Sequence, residues 1–387
     1  MDVYLDYIAS TPCLPEVTKA VLPYFSEIYG NPQSDHEPGW KSKMAMNEAR
    51  NDIAMLINST PEELIFTSSG TESNNFALKG IAHAYSSKGK HIIISQVEHR
   101  SILTSAKFLE KNGYTISILP VDKYGLVDPE DVRKAITPET ILVSIIHANN
   151  EIGTIEPVEE IGRITREKDL LFHVDAGASG GIVPVDVNAI NADLLTLSAH
   201  NFYGPKGVGA LFVRKGVKIT PLIHGGAQER GRRTGIENLP GIVGMGVAAR
   251  AARIDMDERL VYFKRLRDKL AAGLTEKIPN TVYNGHPDKR LPHLLNMSFE
   301  GVEGESMLLS LADEGIYASS SSTCTMMSLE TSHVLLAIGL SGYLANSTLL
   351  MSVGLYNTDK DIDRVIDALP PIVQRLRAMS AAPSAIG

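Results

Sequence analysis

Residues 141–176 read ILVSIIHANNEIGTIEPVEEIGRITREKDLLFHVDA. Ile141–Ala148 is a nearly continuous run of β-favouring apolar residues, and Leu170–Ala176 is another. Val158–Lys168, between them, has the spacing of a helix. Strands with no polar alternation suit a sheet covered on both faces. The same alternation extends outward. Strand-like runs fall at Leu64–Ser68, His91–Gln96, Thr115–Val121, Leu194–His200 and Gly209–Arg214. Helix-like stretches fall at Glu72–Tyr85, Ser101–Asn112 and Asp128–Ile136. Asn112-Gly113 supplies a helix stop, and Ser59-Thr60-Pro61-Glu62-Glu63 a capped helical turn. Alternation over about 150 residues predicts an α/β fold, a mostly parallel sheet with helices on both sides.

The texture changes after Gly246. Val247–Ala272 reads as one long amphipathic helix, with Gly273 as its stop. Short strands at Leu294–Phe299 and Ile316–Ser319 follow, with helices near Glu305–Glu314 and Asp359–Met379. This predicts a smaller α+β domain. The expected division is residues 13–257 for the large domain, with 1–12 and 258–387 forming the small one.

The 387 residues are 43% hydrophobic and 21% charged, which excludes disorder as the main state. Lys and Arg total 37 against 45 Asp and Glu, with no basic block, so nucleic acid is not an expected partner. The start, MDVYLDYIASTP, lacks an apolar core, and no run is long enough to span a bilayer. A cytoplasmic protein is the expectation. The two cysteines, Cys13 and Cys324, exclude a disulfide scaffold and a closed multi-cysteine metal site within one chain.

Several strand ends carry polar groups. Thr67–Glu72 follows a strand and opens a helix, as an anion site or an ordinary N-capped turn does. His99, the segment Asn149-Asn150-Glu151, and Ser198-Ala199-His200-Asn201 follow other strands, at a crevice edge or in plain loops. Asp175 ends a strand, either to pair with a cation or to cap the next segment. Gly204-Pro205-Lys206-Gly207 is a tight turn. Cys324 sits in Ser319–Thr325, with no apolar residue immediately beside it, which favours exposure and reactivity. Cys13, between Pro12 and Leu14, reads as packing.

Taken in order, Tyr4–Tyr7, Gly30-Asn31-Pro32, Thr67–Asn75, Val97-Glu98-His99, His147–Gly153, His173–Ala176, Ser198–Leu211, His224-Gly225-Gly226 and Ser319–Leu340 resemble the cysteine desulfurases. These form the class V branch of the fold-type I pyridoxal phosphate (PLP) enzymes. The resemblance implies a seven-stranded sheet, a homodimer, PLP between the domains and L-cysteine as substrate. It implies that Gly70, Thr71, Ser198 and His200 hold the cofactor phosphate. His99 would stack on the pyridine ring, Asp175 pair with its nitrogen, and Asn150 bond near the ring hydroxyl. Cys324 would take sulfur as a persulfide, on a Ser-rich loop that delivers it to an iron–sulfur scaffold protein.

The same resemblance exposes five departures. Asn201 stands where the family has the lysine that links PLP, and an amide can neither form that link nor act as the base. Lys206 is present in the family in addition to that lysine. Ala178 replaces a glutamine, Ile236 a threonine or serine that reaches the phosphate across the dimer, and Leu350 and Leu355 two arginines. One of those arginines is expected to grip the substrate carboxylate. Two readings follow. One is a desulfurase-like protein of iron–sulfur cluster biogenesis with impaired PLP chemistry. The other is an inactive homodimer that docks a scaffold protein and offers Cys324 as sulfur acceptor or cluster ligand.

Overall fold

The computed structural model describes residues 2–320 and 331–380. The chain runs β1 (Val3–Tyr4), α1 (Pro15–Val21), α2 (Pro23–Ser26), α3 (Glu37–Leu56), β2 (Leu64–Thr67), α4 (Gly70–Ala84), β3 (His91–Ser95), α5 (Arg100–Lys111), β4 (Thr115–Leu119), α6 (Pro129–Ala135), β5 (Thr140–Ile146), α7 (Val158–Glu167), β6 (Leu171–Asp175), β7 (Leu194–Ser198) and β8 (Gly209–Val213). It continues with α8 (Leu239–Ile254), α9 (Met256–Lys277), β9 (Thr281–Tyr283), β10 (Leu294–Phe299), α10 (Gly304–Asp313), β11 (Ile316–Tyr317), α11 (His333–Ala337), α12 (Gly342–Asn346), β12 (Thr348–Ser352) and α13 (Asp359–Ser380).

Seven strands form one sheet in the order β2-β8-β7-β6-β5-β3-β4. Only β8 runs against the rest. Period-two alternation sends Ile93, Leu195, Leu197 and Phe212 to one core and Ile92, Ile94, Leu194 and Leu211 to another. A sheet buried on both faces therefore needs apolar residues at every position, as the sequence supplies. The predicted α/β architecture and the seven-stranded sheet are what the structure has. A three-stranded antiparallel sheet, β12-β10-β9, and a parallel β1-β11 pair lie apart from it. No helix among the described residues is long and apolar enough to cross a membrane.

The predicted single helix over Val247–Ala272 is wrong. It is two helices, broken at Asp255. The reason lies in their partners. On α8, a Cβ on Gly246 would lie 2.5 Å from the Cα of Ala49, so α8 is pressed against α3. By contrast, α9 packs on α13. Asp255 turns the chain from one partner to the other, and its carboxylate pairs with Arg259 at 3.2 Å. Gly273 is not a stop either. It lies inside α9, where a Cβ would fall 2.6 Å from Ile366 of α13. The Thr60–Glu63 capping box and the helix end at Asn112 are present as predicted.

Candidate active site

A cavity of about 350 Å³ opens where β5, β6 and β7 end and α4 begins. Crevices of parallel sheets lie outside the carboxyl ends of the strands. Gly70, Thr71, His99, Asn150, Asp175, Ser198, His200 and Asn201 all line it. Cys324 lies outside the described residues. Ser320, four positions before it, lines the cavity, and Ser332 bonds to a lining residue. Four residues of chain span at most about 14 Å, which bounds how far the Cys324 backbone can stand from Ser320.

One end of the cavity is built for an anion. Ser69 caps α4, its hydroxyl accepting the Glu72 N–H at 3.2 Å, and the free N–H groups of the first turn begin at Gly70. A Cβ on Gly70 would lie 3.3 Å from the Cβ of Ser198, so glycine keeps this approach open. Ser198 Oγ and His200 Nδ1 are 2.9 Å apart. Burial, and secondarily the Lys206 charge, pushes the His200 imidazole pKa down. The turn carrying His200 is held from behind. Thr11 donates to the His200 carbonyl from its backbone N–H (3.1 Å) and its hydroxyl (2.7 Å), and accepts the Tyr203 N–H at 3.0 Å. Lys206 donates to the Thr11 carbonyl and does not line the cavity.

The other end presents a carboxylate. Asp175 is buried, accepts from Asn74 Nδ2 at 2.6 Å and from the Gly177 N–H at 2.9 Å, and has no cationic side chain paired with it among the described residues. Asn74 Nδ2 also donates to Ser101 Oγ at 2.8 Å, and that hydroxyl reaches His99 Nδ1 at 2.7 Å. The Ser101 backbone N–H donates to the same nitrogen at 3.2 Å, so Nδ1 is the acceptor and Nε2 carries the hydrogen in the neutral ring. One chain of hydrogen bonds thus orients both Asp175 and His99. Asn74 has no singled-out place in the sequence reading. Its signal is a polar residue four positions after Gly70, on the helix face that packs on the sheet.

The comparisons agree with this architecture. The family model described as Aminotransferase class-V matches residues 3–365. A protein named Cysteine desulfurase IscS from Methanosarcina thermophila is 52% identical over 378 residues, 98% of this chain and 93% of that one. The like-named protein of Dictyoglomus turgidum is 50% identical over 379 residues, covering 98% and 96%. A solved structure titled NIFS-LIKE PROTEIN superposes with a TM-score of 0.92 at 36% identity, covering 97% of this chain and 100% of that one. The chain belongs to the cysteine desulfurase family. Its domain is of the class V aminotransferase type, fold-type I, in a family that uses PLP and mobilises sulfur.

Against what a desulfurase would hold, the cavity divides. The N-terminus of α4 with Ser198 and His200 fits a phosphate. Asp175, a buried carboxylate lacking a cation, fits a protonated ring nitrogen. No lysine or arginine lines the cavity among the described residues. Asn201 lines it instead, and its Nδ2 donates to the Gly177 carbonyl at 2.7 Å. Its Oδ1 is buried without a partner. Ala178 and Leu350 also line the wall. Ile236 is 70% exposed and outside the cavity. Leu355 packs on the main core rather than reaching the site. Cys13 packs there as well, and burial raises its thiol pKa.

Glu151 lines the same cavity, and Ser332 donates to one of its oxygens. Burial pushes its carboxyl up to about 7, against the opposing Ser332 bond and Arg100 charge. Burial also raises Glu156 to about 8 and raises Glu98 well above the usual range. It lowers the imidazoles of His147 to about 4 and of His173 and His293 to about 3. The raised carboxyls keep protons that the unfolded chain releases above pH 4.5, so they lose stability as pH rises. The lowered imidazoles act oppositely, but only below their unfolded value of 6.5. Above that, the carboxyls alone remain. Stability is expected to fall between about pH 6.5 and 8, at roughly 1.4 kcal/mol per pH unit for each proton lost. Urea midpoints at the two pH values check this; a midpoint that rises with pH contradicts it.

Proposed function

We propose that this protein is a desulfurase-family member of iron–sulfur cluster biogenesis, in which sulfur passes through Cys324 while its own PLP chemistry is impaired. The observation that carries the reading is a cavity with Asn201 and Leu350 on its wall and no lysine or arginine among its described lining residues. Gly70, Thr71, Ser198, His200, His99, Asn150 and Asp175 would hold PLP, which when bound supplies an electron sink for bond cleavage beside it. What the cavity's described lining lacks is a lysine, the group that in the family links the cofactor and takes the substrate α-proton. L-cysteine is the family substrate, and without a cation its carboxylate would meet Leu350. The protein is read as cytoplasmic, with an iron–sulfur scaffold protein as sulfur acceptor and no nucleic-acid or membrane partner.

The transfer needs no PLP. The Cys324 thiolate attacks the outer sulfur of a donor persulfide, the donor leaves as a thiolate, and Cys324 holds the persulfide, with no net redox change. Incubation with a small-molecule persulfide followed by intact-mass measurement is expected to add one sulfur to the wild type and to Cys13→Ser, and none to Cys324→Ser. Sulfur retained by Cys324→Ser would overturn the assignment.

The reading includes a homodimer. Supporting it, the segment from Leu22 to Met44, which holds α2 and the start of α3, exposes the large apolar side chains of Leu22, Phe25, Tyr29, Trp40 and Met44. Phe25→Glu with Met44→Glu is expected to convert a dimer to a monomer in sedimentation. A wild-type monomer at micromolar concentration would remove this part.

A further inference from the structure

Asn150 lines the cavity, yet its side chain has no hydrogen-bond partner among the described residues. The main chain around it therefore sets where it stands. That main chain is held from two sides. Asn149, buried just beyond β5, accepts the N–H groups of Glu151 (2.8 Å) and Ile152 (2.9 Å) on its Oδ1, and donates Nδ2 to the Val97 carbonyl at 2.9 Å. From the other side, Asn296 of β10 donates Nδ2 to the Glu151 carbonyl at 2.9 Å. Asn296 is completely buried, and its amide cannot turn over, because Asn284 Nδ2 donates to its Oδ1 at 2.8 Å. Register explains the reach. Asn296 pairs with Leu350 of β12, and opposed residues share a sheet face, so Asn296 stands on the same face as a cavity-lining residue. The rest of the loop follows the same neighbour. Arg290 donates to the Ile152 carbonyl at 3.2 Å, the Leu291 N–H to the Gly153 carbonyl at 2.8 Å, and the Ile155 N–H to the Lys289 carbonyl at 2.9 Å.

We propose that Asn296 is a positioning residue for Asn150, so that filling the cavity and docking β10 against it are energetically coupled. The proposal rests on the reading of Asn150 as a cofactor contact. Asn149 fixes the peptide that leaves Asn150, and Asn296 fixes the next one. Burying an amide inside a strand is costly unless both of its ends are bonded, and here one end is bonded to the cavity loop. Asn296 does not itself line the cavity, so it acts on a ligand through that loop. Coupling of this kind is reciprocal: a ligand that takes up the Asn150 amide also tightens β10.

The test is calorimetric titration of the full-length protein with pyridoxine 5′-phosphate, which has the ring hydroxyl, ring nitrogen and phosphate but no aldehyde to react with surface lysines. Inorganic phosphate is the second probe, because it meets only the end formed by Gly70, Ser198 and His200. Asn296→Ala is expected to weaken pyridoxine 5′-phosphate ~5-fold, the size of one hydrogen bond, and to leave inorganic phosphate within about twofold. In an Asn150→Ala background the same change is expected to cost less than about twofold. An equal loss in both backgrounds, or an equal loss for inorganic phosphate, overturns the inference while leaving the cofactor reading intact. No binding of pyridoxine 5′-phosphate at ~1 mM overturns both, and leaves the persulfide result standing. A measurement on the wild type needs no variant to fold. Pyridoxine 5′-phosphate is expected to slow amide hydrogen exchange in β10, and inorganic phosphate is not. Unchanged exchange there with pyridoxine 5′-phosphate bound also overturns the inference.

Discussion

Sulfide release from L-cysteine, with PLP and a reductant supplied, is expected to run at least ~10⁴-fold below that of a lysine-bearing desulfurase. Loss of a positioned general base alone accounts for ~10²–10⁴. A second loss compounds it, because the wall of Leu350 offers no cation to a substrate carboxylate. The losses separate by mutation. Asn201→Lys is expected to turn the protein yellow with PLP, by restoring a covalent anchor, and to recover little turnover. Adding Leu350→Arg is expected to lower KM for cysteine steeply, since a buried charge-assisted hydrogen bond is worth ~1.5–3 kcal/mol. Wild-type sulfide release within tenfold of a lysine-bearing enzyme would show that another group performs the base's work.

Glu229→Ala is expected to destabilise the fold by ~3–5 kcal/mol, the cost of leaving a buried charge without its partner. Arg50 and Glu229 meet at 2.5 Å with side chains only 8% and 2% exposed. Glu229 also accepts the Phe66 N–H at 3.0 Å, and the Arg50 guanidinium lies 4.4 Å from the Phe66 ring centre. Removing the carboxylate therefore strands a guanidinium and a strand N–H together. Glu229 and Arg230 sit at φ +46 and +59, a left-handed backbone that side-chain-bearing residues adopt only when something holds them. Urea unfolding measures the effect. Glu229→Gln, which keeps an acceptor for Phe66, is expected to lose less. A loss below ~1 kcal/mol in Glu229→Ala would show the pair to be dispensable.

The sheet was legible because burial on both faces writes itself into the strands. Runs such as Ile92–Ile94 admit almost no other reading. Strand ends were legible for a related reason: polar residues after a buried run, like Asp175 and Ser198, stand where the crevice must be. Where a helix turns was not legible, because the break at Asp255 comes from α8 and α9 choosing different partners. Gly273 looked like a stop because close approach to Ile366 and helix termination both select glycine. Asn74 was hidden because a polar residue on a helix usually marks its wet face. Arg50 and Glu229 are 179 residues apart, and nothing local ties them. The absence of a lysine at Asn201 showed in the sequence, while the orphaned Oδ1 required the fold.

The bonds at Thr11 make the N-terminal segment a tie rod. β1 is paired with β11, Ile8 and Ala9 stand on the cavity wall, and Thr11 grips the carbonyl of His200. Any displacement of the β1-β11 ribbon therefore pulls, through this short segment, on the turn that carries His200. Ribbon and turn share one mechanical coordinate, so a partner that presses on the ribbon also adjusts that turn.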